Sequence, residues 1–171
     1  MKRRILTILG VLVGLAVTGL LVAASIWPVI NEVETGKTPE YPEIRPQYYT
    51  AEPKRVFEES RGAIEAMDRW KLVSADNASR TIKATHETYV LGFIDDVTIW
   101  IEPVTEFVTR VRVRSASRVG RGDFGQNARN IRQFLTRLDE RLGAVKFDPN
   151  RLQKENSSPT PDRDAGSGDS G

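Results

Sequence analysis

Few residues in this 171-residue chain are of a type and spacing that could do chemistry. Asp95 and Asp96 are adjacent carboxylates, and two carboxyls sharing a site can have one pKa raised, dividing acid and base work between them. Neighbours on a strand point to opposite faces, however, and Asp is a common turn residue. A hydrolase-like use of Asp95 and Asp96 is therefore the alternative reading, and a non-enzymatic binding or scaffolding role, for a partner protein or an anionic headgroup, the leading one.

The second candidate is Gly120-Arg121-Gly122-Asp123-Phe124-Gly125, a G-x-G-x-x-G run where a strand gives way to a helix. A dinucleotide fingerprint needs a buried parallel strand before it and a second strand after the helix. Here the preceding strand has one wet face, and no strand pattern follows the helix. What remains is an anion site for a phosphate or lipid headgroup. The N–H groups of a helix N-terminus carry partial positive charge. Around them stand Arg114, Ser115, Ser117, Arg118, Gly120, Arg121, Asn127 and Arg129. Against this, Gly120 and Gly122 serve a tight turn equally well, and Asp123 competes for the same N–H groups as a helix cap.

There is no cysteine and one histidine, His86. Thiol nucleophiles, disulfides and iron–sulfur clusters are excluded, and the usual zinc sites lack ligands. No metal or cofactor is expected. His86 falls on the inward face of its strand, where a satisfied core histidine is expected rather than a catalytic base. Arg110, Arg112 and Arg114 form a basic row near Glu87 and Glu102 across strands, which reads as charge pairing on a solvated sheet. Trp100 is the one aromatic beside it, too few for a nucleic-acid surface. Nine arginines and three acids fall between Phe107 and Arg141, a net of +6. Residues 31–68 carry nine acids and five bases, a net of −4. Part of the basic surface is thus expected to face the chain's own acids.

The elements that must position these groups follow from periodicity. Thr50 is a candidate N-cap and Pro53 sits in the first turn of a helix that buries Val56, Phe57, Ser60, Ala63, Ile64 and Met67. Trp70–Ala75 is a short strand. Thr81–Thr88, Asp96–Glu102 and Val108–Arg118 alternate apolar and polar residues, as antiparallel strands with one wet face do. A last helix starts at Asp123 with Gln126 as capping-box partner. Its apolar stripe is Phe124, Ala128, Ile131, Leu135, Leu138 and Leu142, and Gly143 is its expected C-cap. The fold expected is α+β, a two-layer sandwich with a four-stranded antiparallel meander and both helices on one face (α-β-β-β-β-α).

Phe93-Ile94-Asp95-Asp96-Val97-Thr98-Ile99, with the run Arg114-Ser115-Ala116-Ser117-Arg118-Val119-Gly120-Arg121-Gly122-Asp123-Phe124-Gly125-Gln126-Asn127-Ala128-Arg129-Asn130-Ile131-Arg132, resembles the family known as domain of unknown function 1499 (DUF1499) over about residues 50–142. The resemblance implies an exported or membrane-associated bacterial protein, with relatives in plastids, and no assigned reaction. Some relatives are lipoproteins; this chain lacks the cysteine for that.

Ahead of the domain, Ile5–Ile26 holds no charge, and at ~1.5 Å per residue these residues match a hydrocarbon core of about 30 Å. Lys2, Arg3 and Arg4 precede it, while Glu32 and Glu34 follow. The positive-inside rule leaves the N-terminus in the cytoplasm and the domain periplasmic or extracellular, on a single-pass inner-membrane anchor. Trp27 would mark the headgroup level and Pro28 the helix end. A signal peptide cut after Val22-Ala23-Ala24 is the competing reading. Gly10 and Gly14 place small residues on one helix face, the pattern of a close helix dimer. The organisation expected is an anchor (residues 1–30), an extended linker with Pro39, Pro42 and Pro46 (31–47), the globular domain (48–146) and a disordered tail (147–171).

Overall fold

The computed structural model describes residues 2–26 and 29–149. The N-terminal helix α1 (Lys2–Ile26) is followed by two short strands, β1 (Glu32–Glu34) and β2 (Gln47–Tyr49). Helix α2 (Pro53–Glu65) leads to the long strands β3 (Trp70–Asp76), β4 (Thr81–Glu87), β5 (Ile94–Pro103) and β6 (Thr109–Ser117). Helix α3 (Gln126–Leu142), a 3-10 turn (Gly143–Val145) and β7 (Lys146–Phe147) complete the described elements. The seven strands form one sheet in the order β3-β4-β5-β6-β2-β7, with β1 also pairing β6. All pairings are antiparallel.

The expected meander is present as β3 to β6. Alternation sends Ile82 and Ala84 of β4, Val97, Ile99 and Ile101 of β5, and Val111 and Val113 of β6 to the same buried face. On that face α2 lays Val56, Phe57, Ala63 and Ile64, and α3 lays Ala128, Ile131, Phe134, Leu135, Leu138 and Leu142. The two helices therefore share one side of the sheet, as the period-2 and period-3.6 patterns require.

Four details depart from expectation. The sheet has seven strands rather than four. Residues 31–47 are no spacer: β1 adds to β6, Val33, Thr35 and Ile44 are buried, Thr35 N donates to Val113 O, and Val113 N donates to the Thr35 hydroxyl. Composition misled because the prolines and charges of this segment lie outward while three residues enter the core. The end of the domain also shifts, since β7 pairs with β2 at residues 146–147 and Phe147 lies where the tail was expected to begin.

The starts of both helices also differ. Thr50 caps nothing; α2 begins at Pro53 with Glu52 at the N-cap position and no side-chain cap. Helix α3 begins at Gln126, so Phe124 is not part of its stripe. Phe124 is 56% exposed with φ +49°, a backbone region a bulky residue rarely adopts. Asp123 still caps, since its Oδ1 accepts from Gly125 N at 2.9 Å and its Oδ2 from Asn127 N at 2.7 Å. The reciprocal half of the capping box is replaced: Asp123 N donates to Ile30 O, and Gln126 turns to Asn130. Gly143 holds the C-cap position in a right-handed conformation, because the chain continues into a 3-10 turn.

Helix α1 is long and apolar enough to be a membrane span or a signal sequence. Trp27, Pro28 and the tail from Asn150 lie outside the described residues.

Candidate functional site

At one end of the sheet the inward face changes from apolar to polar. The row Ile82–Ile99–Val113 gives way to Ala84–Val97–Ser115 and then to Trp70–His86–Asp95–Ser117, one residue from each of four adjacent strands. Asp95 is 1% exposed and His86 3%. Above this polar row the first turns of α3 present Asn127 and Asn130, both fully buried, where a continued apolar stripe would have placed hydrocarbon.

These side chains close a ring of hydrogen bonds. The Ser117 hydroxyl donates to Asp95 Oδ1 at 2.6 Å, and Asn127 Nδ2 donates to Ser117 Oγ at 3.0 Å. The Ser115 hydroxyl donates to Asn127 Oδ1 at 2.6 Å, and Asn130 Nδ2 donates to Ser115 Oγ at 3.1 Å and to Asp95 Oδ2 at 2.9 Å. Asn127 Nδ2 also reaches Asn31 O at 2.8 Å, tying the ring to the segment that leads from α1. Such a closed network satisfies each member, which is what makes a buried carboxylate tolerable. Burial raises the Asp95 carboxyl. Its contacts with His86, Ser117 and Asn130 outweigh that and hold it below the ordinary carboxylate range. His86 Nδ1 stands 3.6 Å from Asp95 Oδ2, too far for a hydrogen bond, and has no other partner. Its ring is packed on Trp70, centroids 5.6 Å apart. The expectation of a satisfied core histidine holds for its burial and not for this nitrogen.

Serine, histidine and aspartate meet here in an order unsuited to nucleophilic catalysis. A triad needs the imidazole between hydroxyl and carboxylate, to take the hydroxyl proton. In this row the carboxylate sits between the other two, and its lowered pKa makes it a weak base. The paired-carboxylate site is not assembled either. Asp96 faces the opposite side of the sheet, held bidentately by Arg118 at 2.9 and 2.7 Å, which lowers its pKa.

The expected anion-site residues are likewise divided between faces. Ser115 and Asn127 are buried in the ring, whereas Arg114 points outward to Glu32, at 2.6 and 2.5 Å. Arg118 is taken by Asp96. Arg129 donates to Phe124 O and Gln126 Oε1. Asp123 fills the α3 N-terminus with its own carboxylate. Gly120, at φ +93°, shapes the turn, and Arg121 is exposed beside it. The basic row does face the chain's acids, as expected from the charge asymmetry: Arg112 meets Glu34 and Glu102, Arg110 meets Glu102, and Arg132 and Arg141 meet Glu43 and Glu59. Glu87 pairs with Arg69 instead of the row.

Between the β4–β5 loop and the β6–α3 connection lies a cleft of about 380 Å³. Its walls are Tyr89, Val90, Leu91, Phe93, Val119 and Phe124, and its floor includes Asp95 and Ser117. None of these wall residues is among the candidate site residues that the sequence offers. The available signal was Thr88-Tyr-Val-Leu-Gly-Phe93, an apolar run in a loop between two strands, where polar turn residues are the norm. A larger cavity of about 700 Å³ lies between residues 36–48 and β7; its lining side chains are half-buried or exposed, and Gln47 and Lys146 tie it to Tyr49 and Asp139.

A protein-family model, "Protein of unknown function (DUF1499)", matches residues 24–138. The chain belongs to the DUF1499 family. The match covers the polar ring and both cleft loops, and it starts ahead of β1, in keeping with residues 31–47 being part of the DUF1499 domain. Among solved structures, the di-domain ARO/CYC protein BexL from the BE-7585A biosynthetic pathway is similar at 17% identity, over 75% of this chain and 48% of that one, with a TM-score of 0.43. The di-domain ARO/CYC protein StfQ from the steffimycin pathway is similar at 13% identity, over 65% and 46%, with a TM-score of 0.44. A START superfamily protein from Mycobacterium smegmatis matches at 9% identity, over 67% and 98%, with a TM-score of 0.39. The DUF1499 chain spans about half the length of the two di-domain proteins, and the likeness is one of outline only. No curated protein matches the sequence.

Proposed function

We propose that this DUF1499 protein is a membrane-tethered, non-enzymatic binding module whose ligand enters the cleft between residues 88–93 and 118–126. The observation that carries this reading is the union of apolar walls with a hydrogen-bonded polar floor. A concave apolar site with a few converging polar groups suits an amphiphile, whose hydrocarbon part meets Phe93, Val119 and Phe124 while its head meets Asp95 and Ser117. Two carboxylates, Asp95 and Asp123, line the cleft against one arginine, Arg129; all three hold hydrogen bonds within the chain, and their charges sum to one negative. A head that donates hydrogen bonds or carries positive charge is therefore favoured over an anionic one. That reverses the sign of ligand expected from the arginine count, because those arginines are neutralised by Glu32, Glu34, Glu102 and Asp96.

The test is thermal unfolding of the full chain in a neutral detergent, with a long-chain amine and a fatty acid of equal length as the added probes. Ligand at a hundred times its Kd stabilises by about 2.7 kcal/mol. The amine is expected to raise Tm clearly more than the acid, and the gain to vanish in a Phe93→Ser, Val119→Ser variant. Equal shifts for both heads, or a gain retained in the variant, would remove the reading.

A further inference from the structure

We infer that the cleft rim is itself a membrane-docking surface: the tips of the β4–β5 loop and the β6–α3 connection sit in the headgroup layer of the bilayer that α1 spans, so the cleft opens onto lipid. The inference rests on reading α1 as a span and goes beyond it by fixing which face of the domain meets the membrane.

Three observations carry it. Outside α1, ten large apolar side chains are exposed among the described residues, and seven of them (Val29, Tyr89, Val90, Leu91, Phe93, Val119 and Phe124) lie at this one end of the sheet. Val90 is 90% exposed, and no packing among the described residues accounts for it. Phe124 also holds a left-handed φ that burial does not compensate, the kind of local strain found at functional surfaces.

The second observation is the tether. Asp123 N donates to Ile30 O, Asn31 Nδ2 donates to Gly120 O at 3.0 Å, and Val29 lies against Gly122. The β6–α3 connection is thus hydrogen-bonded to the first residues after α1. Helix α1 ends at Ile26, three Cα steps before Val29. Those steps reach at most about 11 Å, and the headgroup layer is roughly 5–8 Å deep on each side. Val29, at the rim, is therefore held at or just beyond the headgroup layer.

Third, the rim has the composition of an interfacial surface. Aromatic and aliphatic tips are bordered by the exposed Arg121 and Arg129, while Arg69, whose guanidinium lies 4.6 Å from the Tyr89 ring centroid, and Arg118 are held by Glu87 and Asp96. Long cationic side chains beside apolar ones suit the boundary between acyl chains and phosphates.

The absence of cysteine makes the test clean, since one introduced cysteine labels one position. Spin labels would be placed singly at Leu91→Cys, Val119→Cys, Leu12→Cys in α1 and Val104→Cys in the full chain, in phosphatidylcholine–phosphatidylglycerol nanodiscs. Val104 lies in the β5–β6 turn at the far end of the sheet, about 30 Å from the rim at ~3.3 Å per strand residue. All four side chains are exposed, so labelling leaves the core intact. Labels at 91 and 119 are expected to collide with dissolved oxygen rather than with a water-soluble nickel chelate, giving a ratio several-fold above that at 104. A Leu12 label in lipid with the 91 and 119 labels as nickel-accessible as 104 would overturn the docking surface while leaving the span standing. A nickel-accessible Leu12 label would overturn both.

Discussion

Replacing Asp95 with alanine is expected to lower stability by about 3–5 kcal/mol, the range found when one partner of a buried charged network is removed. In a domain of this size that corresponds to a fall in Tm of roughly 10–20 °C. The loss comes less from the carboxylate than from what it leaves behind. The half-buried Ser117 hydroxyl loses its acceptor, the fully buried Asn130 Nδ2 keeps only Ser115 Oγ, and His86 loses its nearest charge. Asp95→Asn keeps one acceptor oxygen but sets an amide N–H₂ against a neighbouring donor, so it should cost less, about 1–3 kcal/mol. The two variants also separate in acid. The native Asp95 carboxyl lies below its ordinary value, so its stabilisation is complete at neutral pH. It is lost as pH falls from about 3.9 through the lower native value. Other lowered carboxyls, Glu32, Asp96 and Glu102 among them, give the protein an acid limb of their own. The difference between wild type and Asp95→Asn isolates Asp95: it should shrink as pH drops through that window. Urea unfolding at pH 7 and pH 3 measures both quantities, and a constant difference would show that the carboxylate is not the charged centre of the ring.

A chain beginning at residue 48 is expected not to fold, whereas one beginning at Val29 should unfold cooperatively. The shorter chain loses Val33 and Ile44 from the core, each such burial being worth about 1.5–3 kcal/mol. It also strips β1 from β6 and removes Asn31 O and Ile30 O, the acceptors for Asn127 Nδ2 and Asp123 N. Together these approach the whole stability of a typical domain, about 5–15 kcal/mol. Far-UV circular dichroism with a urea titration distinguishes the cases. Equal stability of the two chains would restore residues 31–47 to the role of a spacer.

The contrast between these two sites shows what was legible beforehand. Strands β4 to β6 and the core stripe of α3 announce themselves, because a single period holds over seven or more residues and most inward positions are apolar. The polar ring breaks that rule from within: Asp95, Ser115 and Ser117 keep the strand period but place oxygen where hydrocarbon is expected. Asn127 and Asn130 sit at positions that an apolar-stripe count on α3 passes over. Strand β1 is three residues long and its one fully buried residue is Val33, which is too short a pattern to read without its partner. Counting arginines located a basic surface but not its neutralisation, since Glu32 and Glu34 lie about eighty residues upstream of the groups they meet. The apolar β4–β5 loop was visible as letters. Its importance depends on where the chain leaves α1, and that is a fact of three dimensions.

Occupancy of the cleft by one amphiphile is tested directly by native mass spectrometry of the full chain released from lipid nanodiscs. The wild type should appear with a single discrete added mass, a molecule with an apolar tail and a donor-bearing or cationic head, and the Phe93→Ser, Val119→Ser variant should appear without it. A bare wild-type chain, or the same ladder of bulk lipids on both proteins, would contradict it.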